Sequence, residues 1–133
     1  MDQKQAILHL VKQYQNAIHT QNEEDFRKLW TGEENTLISI THLYNGIDSI
    51  YHDFLIGGIR KAYSKIDLIA ENIDIHFIDE DHAIVIFQYH TECVRNDTNE
   101  FYGIQGLETQ IIKKIDNEWK LVHIHYSNRV EGE

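Results

Sequence analysis

Hydrophobic positions recur with a helical period over roughly the first half of the chain and with a strand period over the rest. Ile7, Leu10, Val11, Tyr14, Ala17 and Ile18 form one apolar stripe at helical spacing. Asp2 with Gln5 ahead of them has the form of a capping box. Thr20-Gln21-Asn22 interrupts the pattern, and Asn22 suits the cap of a short second helix that buries Phe26, Leu29 and Trp30. Residues 36–44, TLISITHLY, alternate and are rich in β-branched side chains, which predicts a strand. Gly46 then precedes a third helix. Its stripe is Ile47, Ile50, Tyr51, Phe54, Leu55, Ile59 and Tyr63, with Gly57-Gly58 a point where it can bend.

From Lys65 the period becomes two. Glu71, Ile73, Ile75 and Phe77 alternate with Asn72, Asp74 and His76, as in a strand with one wet face. The run AIVIFQYHTECV, residues 83–94, is apolar on both faces and predicts a central strand. A polar loop at residues 95–100 leads to a long strand from about Phe101 to Lys114. Asp116-Asn117 favours a hairpin turn, and the last strand opens at Trp119. Strict alternation puts Leu121, His123, His125 and Ser127 on one face and Val122, Ile124 and Tyr126 on the other. Helices followed by a strand meander predict one α+β domain over residues 1–133, with a curved antiparallel sheet wrapped around three N-terminal helices.

Composition narrows the partners. A net charge of −10 without any basic stripe argues against nucleic acid. One cysteine, Cys93, excludes an internal disulfide, fits a reducing cytoplasm and reads as a core position rather than a reactive thiol. The opening MDQKQAILHL lacks the apolar run of a signal peptide or membrane span, so no membrane partner is expected.

The ending is the most specific stretch: Glu108-Thr109, Asp116-Asn117-Glu118-Trp119, then Val122-His123-Ile124-His125-Tyr126-Ser127. With the order of elements, it resembles the nuclear transport factor 2-like superfamily. Within that superfamily it is similar to SnoaL-like domains and the association domain of calcium/calmodulin-dependent protein kinase II. The resemblance implies a cone-shaped α+β barrel, a pocket between the concave sheet face and the helices, and a homodimer through the convex face. In steroid isomerases of the superfamily a tyrosine of the first helix donates to an oxyanion, and Tyr14 falls at a comparable place. The position of their general base is held here by Ile38 or Ser39, and neither is a base at neutral pH. In the kinase association domain, arginines line the pocket. The matching positions here are Tyr89 (Gln88 if the register slips by one), Gln110 and Tyr126, all neutral. A site for carboxylates would need cationic forks.

Tyr14, Trp30, Tyr89, Gln110, Ile124 and Tyr126 are therefore the expected lining of a pocket for a neutral, largely apolar small molecule, with no cofactor. The unmatched base favours a binding domain over an enzyme. The alternative is an isomerase- or cyclase-like enzyme on a hydrophobic substrate, which requires a buried carboxyl facing the cavity; Glu108 is the candidate. His123 and His125 share a strand face, and His90 could join them in a three-histidine zinc site. The resembling signature carries the pair without implying a metal, so the expectation is no metal, with both histidines on the dimer face.

Overall fold

The computed structural model describes residues 2–129. Helix α1 (Gln3–Thr20) starts where Asp2 accepts from the Gln5 amide at 2.8 Å. It ends at Gln21, whose φ of 59° turns the chain left-handed. Its predicted stripe is buried in full. Helix α2 (Glu23–Arg27) is capped by Asn22, which accepts from the Asp25 amide at 3.0 Å. Phe26, Leu29 and Trp30 are buried, the last two just beyond the helix end.

Residues 36–44 are not one strand. β1 (Thr36–Ser39) and β2 (His42–Asn45) form a hairpin that reverses at Ile40, with φ of 60°. A β-branched residue is a poor choice for that conformation, so the reversal carries no turn signal. Helix α3 begins at Ile47–Ser49 and continues over Ile50–Arg60 as a π-helix, bonded i to i+5. Its buried Ile50, Tyr51, Phe54 and Leu55 lie four or five apart along the main repeat, a spacing compatible with either winding. Tyr63, expected on this stripe, instead opens the next strand.

Five strands follow: β3 (Tyr63–Phe77), β4 (His82–Arg95), β5 (Phe101–Tyr102), β6 (Gln105–Ile115) and β7 (Glu118–Asn128). The expected strand from Phe101 to Lys114 is thus split around Gly103-Ile104. The sheet order is β2-β1-β7-β6-β4-β3, with β5 paired to β4, and every pair is antiparallel except β1 with β7. Asp116 and Asn117 both take positive φ, 51° and 65°, in the two-residue turn between β6 and β7. Such a turn matches the strand twist.

The register shifts at three places among the described residues, at Tyr63/Lys65 where β3 begins and at two bulges further along the sheet. In β3 the register shifts between Glu71 and Asp74, with Asn72 at φ 52°, and Gln15 of α1 accepts from the Ala70 amide at 2.8 Å. In β7, Leu121 lies opposite Ile112 while His123 lies opposite Ile111, so Val122 is the extra residue. Strict alternation therefore fails there: Leu121 turns into the core with Ile124 instead of sharing a face with His123. Asn35, itself buried, donates through Nδ2 to the carbonyls of Leu121 and Val122 at 3.1 and 3.3 Å. The result is an α+β cone, a curled mixed sheet closed by three helices. No helix among the described residues is long and apolar enough to cross a membrane.

Candidate functional site

Inward residues of β4, β6 and β7 align in rows across the sheet. Phe87, Glu108 and Tyr126 form one row; Tyr89, Gly106 and Asn128 form the next towards the rim. Tyr14 and Ile18 of α1, Phe54 of α3 and Ser39 of β1 face these strands and complete a cavity of about 370 Å³. That is within the roughly 300–1,000 Å³ of small-molecule sites. Tyr44, Tyr63, Ile66, Leu68 and Ile104 add apolar wall, and no lysine, arginine or histidine lines it among the described residues.

Glu108 is the one acidic residue in this lining, and it is only 3% exposed. Its Oε2 accepts from Gln110 Nε2 at 2.8 Å, and no ion pair to it exists among the described residues. Burial pushes its carboxyl up to about 8, against the smaller opposing pull of the Gln110 bond. The group therefore holds its proton at neutral pH and can donate it.

Three tyrosines surround it. The Tyr14 hydroxyl is held well above its ordinary range, first by burial and then by the charges of Glu108, Tyr126 and Tyr89. The Tyr126 hydroxyl lies 2.6 Å from Ser39 Oγ and is pushed up to about 12, chiefly by burial. Tyr89 donates to Asn128 Oδ1 at 2.8 Å, and burial likewise raises its hydroxyl. Its ring meets that of Tyr126 edge-on at 5.9 Å, while Phe54 approaches Tyr126 from the helix at 6.0 Å. The chamber thus offers neutral hydroxyls and one neutral acid against aromatic walls.

Of the residues expected from sequence, the fold brings Tyr14, Tyr89 and Tyr126 to the cavity. Gln110 lies one row deeper, fully buried behind Glu108, with its Oε1 lacking a hydrogen-bond partner. Ile124, opposite Gln110, is fully buried core and not lining. Trp30 packs against Phe26 at 6.0 Å, away from the lining. Gln88 is exposed and accepts from Asn72 at 2.9 Å. Ser39 and Asn128 were not expected to take part. Ser39 did carry a signal, since counting on from Tyr14 reaches it; Asn128 carried none.

The three histidines are not gathered. His123 lies 2.6 Å from Thr36 Oγ1 on the outer side, where burial and then His125 lower its basicity. His90 pairs with Gln105, four residues along β6 from the partner of His125, or about 13 Å by strand rise. It is held by Glu71 on one ring nitrogen and by Glu92 at 3.4 Å on the other. No group of three or more histidine, cysteine or acidic side chains among the described residues is arranged to hold a metal ion.

The sequence model of the calcium/calmodulin dependent protein kinase II association domain matches residues 3–130. Among solved structures, a nuclear transport factor 2-like superfamily protein from Salmonella enterica serovar Typhimurium superposes with a TM-score of 0.89. It is 26% identical, over 98% of this chain and 93% of that one. The type 3 hexachlorocyclohexane dehydrochlorinase of Novosphingobium barchaimii superposes at 0.83 with 14% identity, over 98% and 91% of the two chains. That second likeness speaks for the fold alone. No curated protein matches the chain.

Proposed function

The chain belongs to the calcium/calmodulin dependent protein kinase II association domain family, and from that footing we propose that its cavity binds a small, neutral, largely apolar molecule on which Glu108 moves a proton. The observation that carries this reading is the buried carboxyl of Glu108, lining an otherwise uncharged, largely aromatic chamber, with a neutral amide as its side-chain partner among the described residues. A cation beside it would strip its proton at neutral pH, and none among the described residues lines the chamber. An acid with a value near the working pH is suited to proton transfer.

Glu108 donates to an oxygen of the bound molecule as charge builds there, and Tyr14 supplies a second donor. Two neutral donors in a water-poor chamber stabilise a developing oxyanion better than water does. Anionic molecules find no counter-charge in the lining and are disfavoured. Ser39, spent on Tyr126, is no base, so the ionised form of Glu108 is the group to accept a proton back.

The test is hydrogen–deuterium exchange and elimination across a panel of neutral hydroxy- and keto-compounds, for wild type and Glu108→Gln. Turnover should fall by about 10²–10⁴-fold in the variant. Ligand binding with no turnover in either protein would return the site to a binding module without catalysis.

We infer as well that the outer sheet face pairs with a second copy of the chain. Ile86 and Leu107 are exposed there, beside half-buried Ile84 and Ile111. The helices cover only the opposite face of these strands.

A further inference from the structure

The inner face of β4 runs outward from Phe87 through Tyr89, Thr91 and Cys93, each heading a row across the sheet. Polar groups gather at the inner end. Glu108 and the Ser39–Tyr126 pair belong to the first row, and the Tyr89–Asn128 pair to the second. Further out, Thr91 Oγ1 is already taken by the Ile104 amide at 3.1 Å. Cys93 lies between Ile66 of β3 and Tyr102 of β5. From Phe87 to Cys93 is six residues, about 20 Å by strand rise. A molecule with a single oxygen therefore lies lengthwise, oxygen inward and apolar end outward.

The opening is at that outer end. Of the lining residues, Ile40, Gly58, Ala62 and Tyr102 are exposed: the tip of the β1–β2 hairpin, the end of α3 and β5. Tyr102 is the largest of the four. It stacks on Tyr63, with 6.2 Å between centroids and 16° between planes, and the Arg95 guanidinium lies 5.4 Å from its centroid. Asp97 fixes Arg95 in turn through bonds of 3.1 and 3.2 Å. Arg95 follows Cys93 by two residues and pairs with Tyr63, so all these side chains stand on the concave side of the sheet. Tyr63 and Tyr102 line both the chamber and a rim cleft of about 360 Å³ that Lys61, Arg95 and Asn96 border.

We propose that Tyr102, held by Tyr63 and Arg95, is the specificity-determining residue of the mouth and limits the width of the apolar end that a bound molecule carries. This role rests on the reading of the cavity as a site for neutral, largely apolar molecules, but not on proton transfer by Glu108. A slender chain passes beside the ring. A bulky end group meets it, because stacking and the Arg95–Asp97 pair leave the ring little freedom to yield. Shortening the side chain merges the mouth with the rim cleft and makes room for the wider group.

The probes are methyl ketones with the same two-carbon spacer and an end group that widens from n-butyl through cyclohexyl to 1-adamantyl. Binding is read from the shift in thermal unfolding. Wild type should be stabilised by the n-butyl ketone and progressively less as the end group widens. Tyr102→Ala should bind the adamantyl ketone about tenfold or more tighter than wild type does, the scale of relieved overpacking, with the n-butyl ketone little changed. Tyr102→Val keeps a strand former in β5 and should fall between the two. Tyr102 is 39% exposed, so its replacement leaves the core intact. The same width limit in wild type and variants, or no limit in wild type, overturns the role of Tyr102 and leaves the cavity reading standing. Loss of the n-butyl ketone in Tyr102→Ala overturns it too, by making the ring a contact rather than a limit. No stabilisation of any of the three proteins by any ketone overturns both.

Discussion

Gln110 donates to Glu108 through a 2.8 Å hydrogen bond between side chains two residues apart on the inner face of β6. Both groups are buried, so the acid has a fixed partner that does not take its proton. A glutamine stabilises the orientation of the carboxyl, whereas a lysine or arginine would have ionised it. Proton chemistry at neutral pH depends on that choice.

Glu108 makes stability fall with pH. Its carboxyl ionises at about 4.3 in the unfolded chain and at about 8 in the fold. Below both values the two states carry the same proton and nothing changes. Between them the unfolded chain has lost the proton that the fold keeps, so stability drops by about 1.4 kcal/mol per pH unit. Above about 8 the loss is complete. Glu108→Gln is spared this, so its unfolding temperature relative to wild type should climb from pH 5 to pH 8. Circular dichroism melts across that range read it; a constant difference would refute the buried neutral acid.

Asn35 should be worth more than its loop position suggests. Asn35→Ala removes the donor shared by the Leu121 and Val122 carbonyls, of which Leu121 keeps the Thr31 amide, and also removes the acceptor for the Gly32 amide. The expected cost is about 1–3 kcal/mol in urea unfolding. Asn35→Asp should be at least as damaging, because it sets an acceptor against acceptors.

Tyr126 and Ser39 should be energetically coupled. Their oxygens lie 2.6 Å apart across the parallel β1–β7 pair. A double-mutant cycle of Tyr126→Phe and Ser39→Ala should give about 0.5–1.5 kcal/mol of coupling. In ligand binding, Tyr126→Phe should cost about 1 kcal/mol if its hydroxyl also serves the ligand. Additive stabilities would show that the two hydroxyls ignore each other.

The proposed pairing of outer faces should be disrupted by charge. Ile86→Glu places a carboxylate on the exposed side of β4, and sedimentation should shift from dimer to monomer at micromolar concentration. Acid should act in the same direction. Burial first, and then His125, hold His123 below its ordinary value of about 6.5. The unfolded chain takes up that proton before the fold does, so stability is intact above about 6.5 and is lost as pH falls towards the lower folded value. Replacing His123 and His125 by Gln should flatten the response between about pH 7 and pH 5. A wild-type monomer throughout would refute the pairing.

What the sequence by itself determined was set by neighbours along the chain. The Asp2 and Asn22 caps, the α1 stripe and the Asp116-Asn117 turn depend on residues a few positions apart, and each stands where the pattern predicts. Period two also set Tyr126 opposite His125, since alternation holds wherever no bulge intervenes, but it left open which of the two faces lines the cavity. Tertiary structure decided the rest. The extra residue at Val122 is accommodated by Asn35, far away in sequence, so alternation could not foresee that Leu121 turns inward. The hairpin at Ile40 stands without a turn residue because β7 supplies a pairing edge for β1. Glu108 was legible as a candidate but not as an acid, because its proton affinity comes from burial beneath α1 and between neighbouring strands. A side chain's environment is made by parts of the chain that its own neighbourhood does not contain.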